Sequence, residues 1–131
     1  MAPSDTTKTP PGMLALRTVA MPADANANGD IFGGWVLAQM DLAGSVVAAE
    51  RAGSRIATVA VEGMAFHKPI NIGDLVTGYA TVVKTGRTSI TVHVVIIAGR
   101  RGTQEEVRVT EGTFIYVAID DEGKPKPLPP A

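Results

Sequence analysis

The chain of 131 residues is long enough for one domain with a substantial core. Its 12 Lys and Arg against 13 Asp and Glu, with no basic cluster beyond Arg100-Arg101, leave no electrostatic footprint for a nucleic acid. The absence of cysteine excludes disulfides, thiolate metal sites and a cysteine nucleophile, and suits a reducing compartment; the expectation is a cytoplasmic protein with a small-molecule partner.

Met1 to Gly12 is rich in Pro, Ser and Thr and has no apolar h-region, so it reads as a flexible tail and not as a signal peptide. Met13 to Met21 (MLALRTVAM) reads as a strand. Pro22 to Asp30 (PADANANGD) consists of turn formers, with Asn28-Gly29 the strongest signal. Gly33 to Ala49 (GGWVLAQMDLAGSVVAA) has the Leu, Met, Gln and Ala content of a helix, and Asp30 just ahead of it suits the positive end of a helix dipole. Trp35, Leu42 and Val46 lie on the side opposite Leu37 and Met40, so this helix needs apolar cover all round. A sheet covers only one side well, and a partner subunit is expected to supply the rest. Ile31 to Ala49 is just long enough to cross a bilayer, but Asp41 at its middle and the weak Gly33-Gly34 start argue against a membrane span.

From Ile56 onward Val, Ile and Thr dominate, broken at short intervals by glycine-containing turns, the pattern of an antiparallel sheet. Four strands are expected: Ile56 to His67, Leu75 to Lys84, Thr88 to Ala98 and Val107 to Ile119, the last two joined by Gly99-Arg100-Arg101-Gly102. In Thr88 to Ala98, Ile90, Val92, Val94 and Ile96 alternate with Ser89, Thr91 and His93, so one face is buried. Lys124 to Ala131 (KPKPLPPA) reads as extended or disordered, lacking the apolar content to pack. The expected organisation is a tail over 1–12, one domain over 13–120 and a proline-rich tail over 121–131.

Asp41 is the only charged residue between Gly33 and Ala49, and proteins rarely keep an unpartnered buried carboxylate for packing. At about 100° per residue it shares a side with Gly34, Leu37, Ser45 and Ala48, mostly small groups that leave room for a ligand. It is either a reactive carboxylate or an acceptor for a neighbouring strand or subunit. Gly33-Gly34 lets a ligand approach free N–H groups at the helix start, or merely permits a tight turn and close packing. Asn26 and Asn28 could orient a water or a carbonyl, although Asn in a turn usually bonds its own backbone. His67 and His93 lack the neighbours in sequence that a triad or metal site would need and read as structural or surface residues. Gly86-Arg87-Thr88-Ser89 could hold phosphate or be an ordinary hairpin, and Lys68 and Arg17 are available to an anion.

Taken together, MPADANANGDIFGGWVLAQMD, VEGMAFHKPINIGD, KTGRTSITV and FIYVAID resemble the YciA-like branch of hotdog-fold acyl-CoA thioesterases, in order and over roughly residues 13 to 128. The resemblance implies an α+β hotdog fold, a long central helix wrapped by a curved antiparallel β-sheet. It also implies homodimers that join two sheets into one, often assembled as a homohexamer. By the same resemblance Asp41 would be the catalytic carboxylate and Asn26 would complete the site from the other hotdog unit. A backbone N–H near Gly34 would polarise the thioester carbonyl, with Gly33 beside it, and Lys68, Arg87, Thr88 and Ser89 would lie where coenzyme A is met. The implied reaction is hydrolysis of acyl-CoA to a free acid and coenzyme A, without a metal or other cofactor. Two rivals stand beside it: a hotdog hydratase or dehydratase, which would want a His such as His67 paired with the helical acid, and a non-catalytic acyl-CoA binding module.

Overall fold

The computed structural model describes residues 9–131, so the first eight residues of the tail expected over 1–12 lie outside the described residues. The element order is β1 (Met13–Val19), a 3-10 turn (Pro22–Asp24), α1 (Gly33–Ala52), β2 (Arg55–Phe66), β3 (Leu75–Thr85), β4 (Ser89–Gly99) and β5 (Glu106–Ile119). Every expected strand is present within two residues of its reading. The helix runs past the expected end at Ala49, because Glu50 and Arg51 continue it on the solvent side after the apolar run stops. Arg51 in the last turn suits the negative end of the helix dipole. Gly53, left-handed at φ 63°, ends the helix and returns its N–H to the Ala49 carbonyl.

The five strands form one antiparallel sheet in the order β1-β3-β4-β5-β2, with β1 and β2 at its edges. Bulges interrupt the register in β1 and twice in β2, at Thr58/Ala60 and Glu62/Ala65, and such irregularities bend a sheet around what it covers. What it covers is α1. Met40, Ala43, Ala48 and Ala52 of the helix pack with Val76, Ala80, Val92, Val94, Ile96, Phe114 and Tyr116 in one core, all at most 2% exposed. The approach is close because small residues meet: a Cβ on Gly78 would lie 3.1 Å from that of Ala43. This is the hotdog arrangement, with the helix in the curl of the sheet.

The other flank of α1 is uncovered, as the all-round apolar pattern anticipates. Leu42 is 54% and Val46 43% exposed, and the edge strand β2 adds Val59 and Phe66, each 57% exposed. A long edge strand with free N–H and C=O groups and apolar neighbours is a surface that folded proteins cover. Among the described residues no helix is long and apolar enough to cross a membrane.

The chain after Ile119 is extended but, against expectation, it docks. Ile119 bridges Pro125, the N–H of Lys126 donates to Ala118 O and that of Leu128 to Arg87 O, and Leu128 packs against the core. Proline fixes the extended backbone, and the two intervening residues supply the donors that proline lacks. One leucine is enough apolar content to seat the segment.

Candidate active site

Asp41 sits in the middle of α1, half-buried, where the helix passes β2 and β5. Its Oδ1 accepts hydrogen bonds from Thr58 Oγ1 of β2 at 2.8 Å and from the Tyr116 hydroxyl of β5 at 3.0 Å. The same hydroxyl lies 3.0 Å from the Asp41 backbone carbonyl. Among the described residues Oδ2 has no donor. Burial, and then the charge and the bond of Asp41, push the Tyr116 hydroxyl well above the usual tyrosine range, so it stays a donor at any working pH. The Tyr116 ring is fixed by stacking on Phe114, with centroids 6.3 Å apart. Its oxygen reaches the helix surface only because residue 44 is glycine: a methyl there would overlap it.

At the helix start, the turn closes through Trp35 N and Val36 N onto Phe32 O, and no backbone acceptor within the described chain takes the N–H of Gly33 or Gly34. Neither glycine has a positive φ. A Cβ on Gly34 would meet nothing within 4 Å, and one on Gly33 would meet only Phe66 Cζ at 4.0 Å. Neither backbone strain nor packing inside the chain therefore requires glycine at these two positions, which removes the tight-turn and close-packing explanations. Gly33 and Val36 line a hollow of about 50 Å³ with Phe66, Lys68, Ile70 and Thr110, so Lys68 and the positive helix end border the same space. A larger hollow of about 460 Å³ lies under the β4-β5 hairpin, lined by Gly73, Leu75 and residues 99–106, and contains none of the expected site residues.

Asn26 lies in the turn segment ahead of the helix. Its Oδ1 accepts from Asn28 N at 2.9 Å and Asp30 N at 3.2 Å, while Gly29 turns the chain at φ 87°. The side chain thus bonds its own turn, and that anchoring also fixes where its amide NH2 points. No hydrogen bond joins it to Asp41 among the described residues. Arg87, Thr88 and Ser89 form the β3-β4 hairpin, closed by Gly86 N on Ser89 O at 2.9 Å, with Arg87 exposed. This hairpin lies at the opposite end of the sheet from Lys68. Ser89 pairs with Val117 of β5 whereas Lys68 N donates to Val109 O, a separation along one strand of about 25 Å at 3.2–3.4 Å per residue. One chain does not bring these groups together.

Sequence reading missed Thr58 and Tyr116. The available signal was Tyr116 in an alternating strand beside Phe114 and Ala118, because a buried tyrosine needs an acceptor for its hydroxyl. It also missed that the two histidines converge: His67 Nε2 and His93 Nε2 lie 3.1 Å and 3.2 Å from the two oxygens of Glu111. Glu111 alternates along β5 with the inward-facing Gly112, Phe114 and Tyr116, so the cluster is on the sheet face away from the helix and from Asp41.

The curled antiparallel sheet round one long helix, with Asp41 at the middle of that helix and, among the described residues, unbonded N–H groups at its start, defines a hotdog protein. The chain belongs to the thioesterase superfamily, whose family model matches residues 28–104. It is similar to the acyl-CoA thioester hydrolase YciA of Salmonella typhimurium, at 51% identity over 124 residues that cover 92% of this chain and 93% of that protein. Among solved structures it resembles a hexameric thioesterase from Yersinia pestis at 50% identity and a TM-score of 0.89, covering 93% of this chain and 100% of that one. It also resembles the hexameric broad specificity acyl-coenzyme A thioesterase HI0827, at 44% identity and a TM-score of 0.88, covering 94% of this chain and 85% of that one.

Proposed function

We propose that this protein hydrolyses acyl-CoA thioesters to a free carboxylic acid and coenzyme A, with Asp41 as the catalytic carboxylate. The observation that carries the reading is a mid-helix carboxylate, Asp41, oriented by two hydroxyls, in a thioesterase-superfamily chain whose helix opens on two glycines that nothing inside the chain requires. Donors aimed at a developing oxyanion are worth about 10² to 10³ in rate each, and we assign that role to the N–H of Gly34, with Gly33 beside it. Asp41 either takes a proton from the attacking water or attacks the carbonyl carbon itself to give a mixed anhydride that water then opens. In both routes the C–S bond breaks, a C–O bond forms, and the sulfur leaves as the thiol of coenzyme A. Nothing in this chemistry calls for a metal or a further cofactor.

The working unit is a homodimer joined along β2, and by analogy with the hexameric relatives a homohexamer. Two-fold pairing of β2 edges runs the strands antiparallel, which carries the Arg87-Thr88-Ser89 hairpin of one subunit toward the Lys68 end of the other. Asn26 of one subunit meets Asp41 of the other in the same assembly. Coenzyme A then spans both subunits, with Lys68, Arg87, Thr88 and Ser89 disposed along it. The cytoplasm is the compartment we propose. The hydratase reading loses its histidine, because His67 is engaged by Glu111 on the far face of the sheet.

The test is thiol release from a panel of acyl-CoA substrates, acetyl to palmitoyl and aromatic, by the parent and by Asp41→Ala. The parent turns over part of the panel, and the variant loses about 10²-fold or more in kcat. Its fold survives, because Tyr116 keeps the residue 41 carbonyl as acceptor and the exposed Thr58 turns to water. Full activity in Asp41→Ala would make that residue structural and the mechanism wrong.

A further inference from the structure

We infer that Tyr116 is a positioning residue for Asp41, holding the carboxylate through Oδ1 so that Oδ2 is the oxygen presented to water or to the thioester carbon. This rests on the proposed hydrolysis at Asp41 and assigns the two oxygens different tasks. Oδ1 is met by Thr58 and Tyr116 from two different strands, while Oδ2 has no donor among the described residues. Two bonds converging on one oxygen fix both the side-chain rotamer and the carboxylate plane, leaving one way for Oδ2 to face. Packing alone does not call for the hydroxyl: the ring stacks on Phe114, and a phenylalanine would fill the same space. What the hydroxyl does require is a gap in the helix one turn beyond Asp41, and Gly44 supplies it. A methyl at residue 44 would overlap the hydroxyl oxygen and lie 3.1 Å and 3.2 Å from ring carbons Cζ and Cε2. Glycine in a helix interior is disfavoured relative to alanine, and here it admits a hydrogen-bond donor to the carboxylate. Because one proton faces two acceptors, the Asp41 carbonyl and Oδ1, the hydroxyl ties the side chain to its own backbone.

The experiment is steady-state thiol release by the parent, Asp41→Ala, Tyr116→Phe, Gly44→Ala and the double variant Gly44→Ala/Tyr116→Phe, each with a melting temperature. Tyr116→Phe lowers kcat about 10- to 10²-fold with KM within about threefold, since misplacing a reacting group costs the chemical step and not binding. Gly44→Ala lowers kcat similarly by expelling the hydroxyl. In the double variant the overlap with the hydroxyl oxygen is gone and the ring need yield only a few tenths of an ångström to the methyl, so kcat falls no more than about threefold below that of Tyr116→Phe, and the two losses do not add. A Tyr116→Phe protein with parental kcat, while Asp41→Ala is inactive, would overturn the positioning role and leave the hydrolase reading standing. A parent that releases no thiol, or an Asp41→Ala protein as active as the parent, would instead remove that reading and this inference with it. Additive losses in the double variant would show that Gly44 and Tyr116 act separately, contrary to the inference.

Discussion

Glu111 sits between two imidazoles on the outer sheet face, and its ionisation is tied to folding. The hydrogen bond from His67 holds its carboxyl below the ordinary value of 4.5; partial burial opposes this, and the bond from His93 and the charge of Arg108 add to it. The folded protein therefore binds this proton less readily than the unfolded chain. The contribution is fully present above 4.5 and disappears as pH falls through the lower folded value. Glu111→Gln should melt below the parent at about pH 6, and the gap should close by about pH 3. Melting curves of both proteins across that range check it, and a gap independent of pH would contradict it. This cluster was illegible in the sequence because its members are 44 and 18 residues from Glu111 and meet only across strand pairings. Asp41, by contrast, was legible as the one charge between Gly33 and Ala49. Thr58 and Tyr116 were not, since they reach it from 17 and 75 residues away and only after the sheet has curled round the helix.

The elements themselves follow from local patterns. Alternation in β4 places Ile90, Val92, Val94 and Ile96 on the helix face, all fully buried, and the turn formers of residues 22–30 produce a 3-10 turn and a tight loop. The helix end was misread by three residues because Glu50 and Arg51 interrupt the apolar run before Ala52 returns to the core. The glycine pair at its start shows what structure adds: sequence left turn, packing and ligand approach open, and the φ values and the empty space around Gly34 exclude a strained turn and close packing within the chain. Gly34→Ala should accordingly leave the melting temperature unchanged or raise it, since alanine is favoured over glycine in a helix by up to about 1 kcal/mol. Its kcat/KM should nonetheless fall, by about tenfold or more, if the thioester carbonyl approaches this N–H. Unaltered kcat/KM in a protein of parental stability would remove Gly34 from the site.

On the scale of the molecule, one chain is unfinished in three respects. Leu42, Val46, Val59 and Phe66 are bare, Lys68 and Arg87 stand at opposite ends of the sheet, and Asn26 is not bonded to Asp41. The proposed pairing of two copies along β2 would resolve all three, and the expectation of a partner came from a helix apolar on every side. The docking of the C-terminal tail was not visible, because a single Leu128 among prolines gives no periodic signal. The proposed hydrolytic site combines Asp41 of one subunit with Asn26 of the other, and subunit mixing tests that composition. Asn26→Ala and Asp41→Ala proteins, each weak alone, are unfolded together in equal amounts and refolded, mixed dimers are confirmed, and thiol release is measured. In a mixed dimer one site carries both defects and the other neither, so random pairing should return about one quarter of parental activity. Recovery near zero with mixed dimers present would mean that every site retains a defect, and would contradict a site shared between subunits.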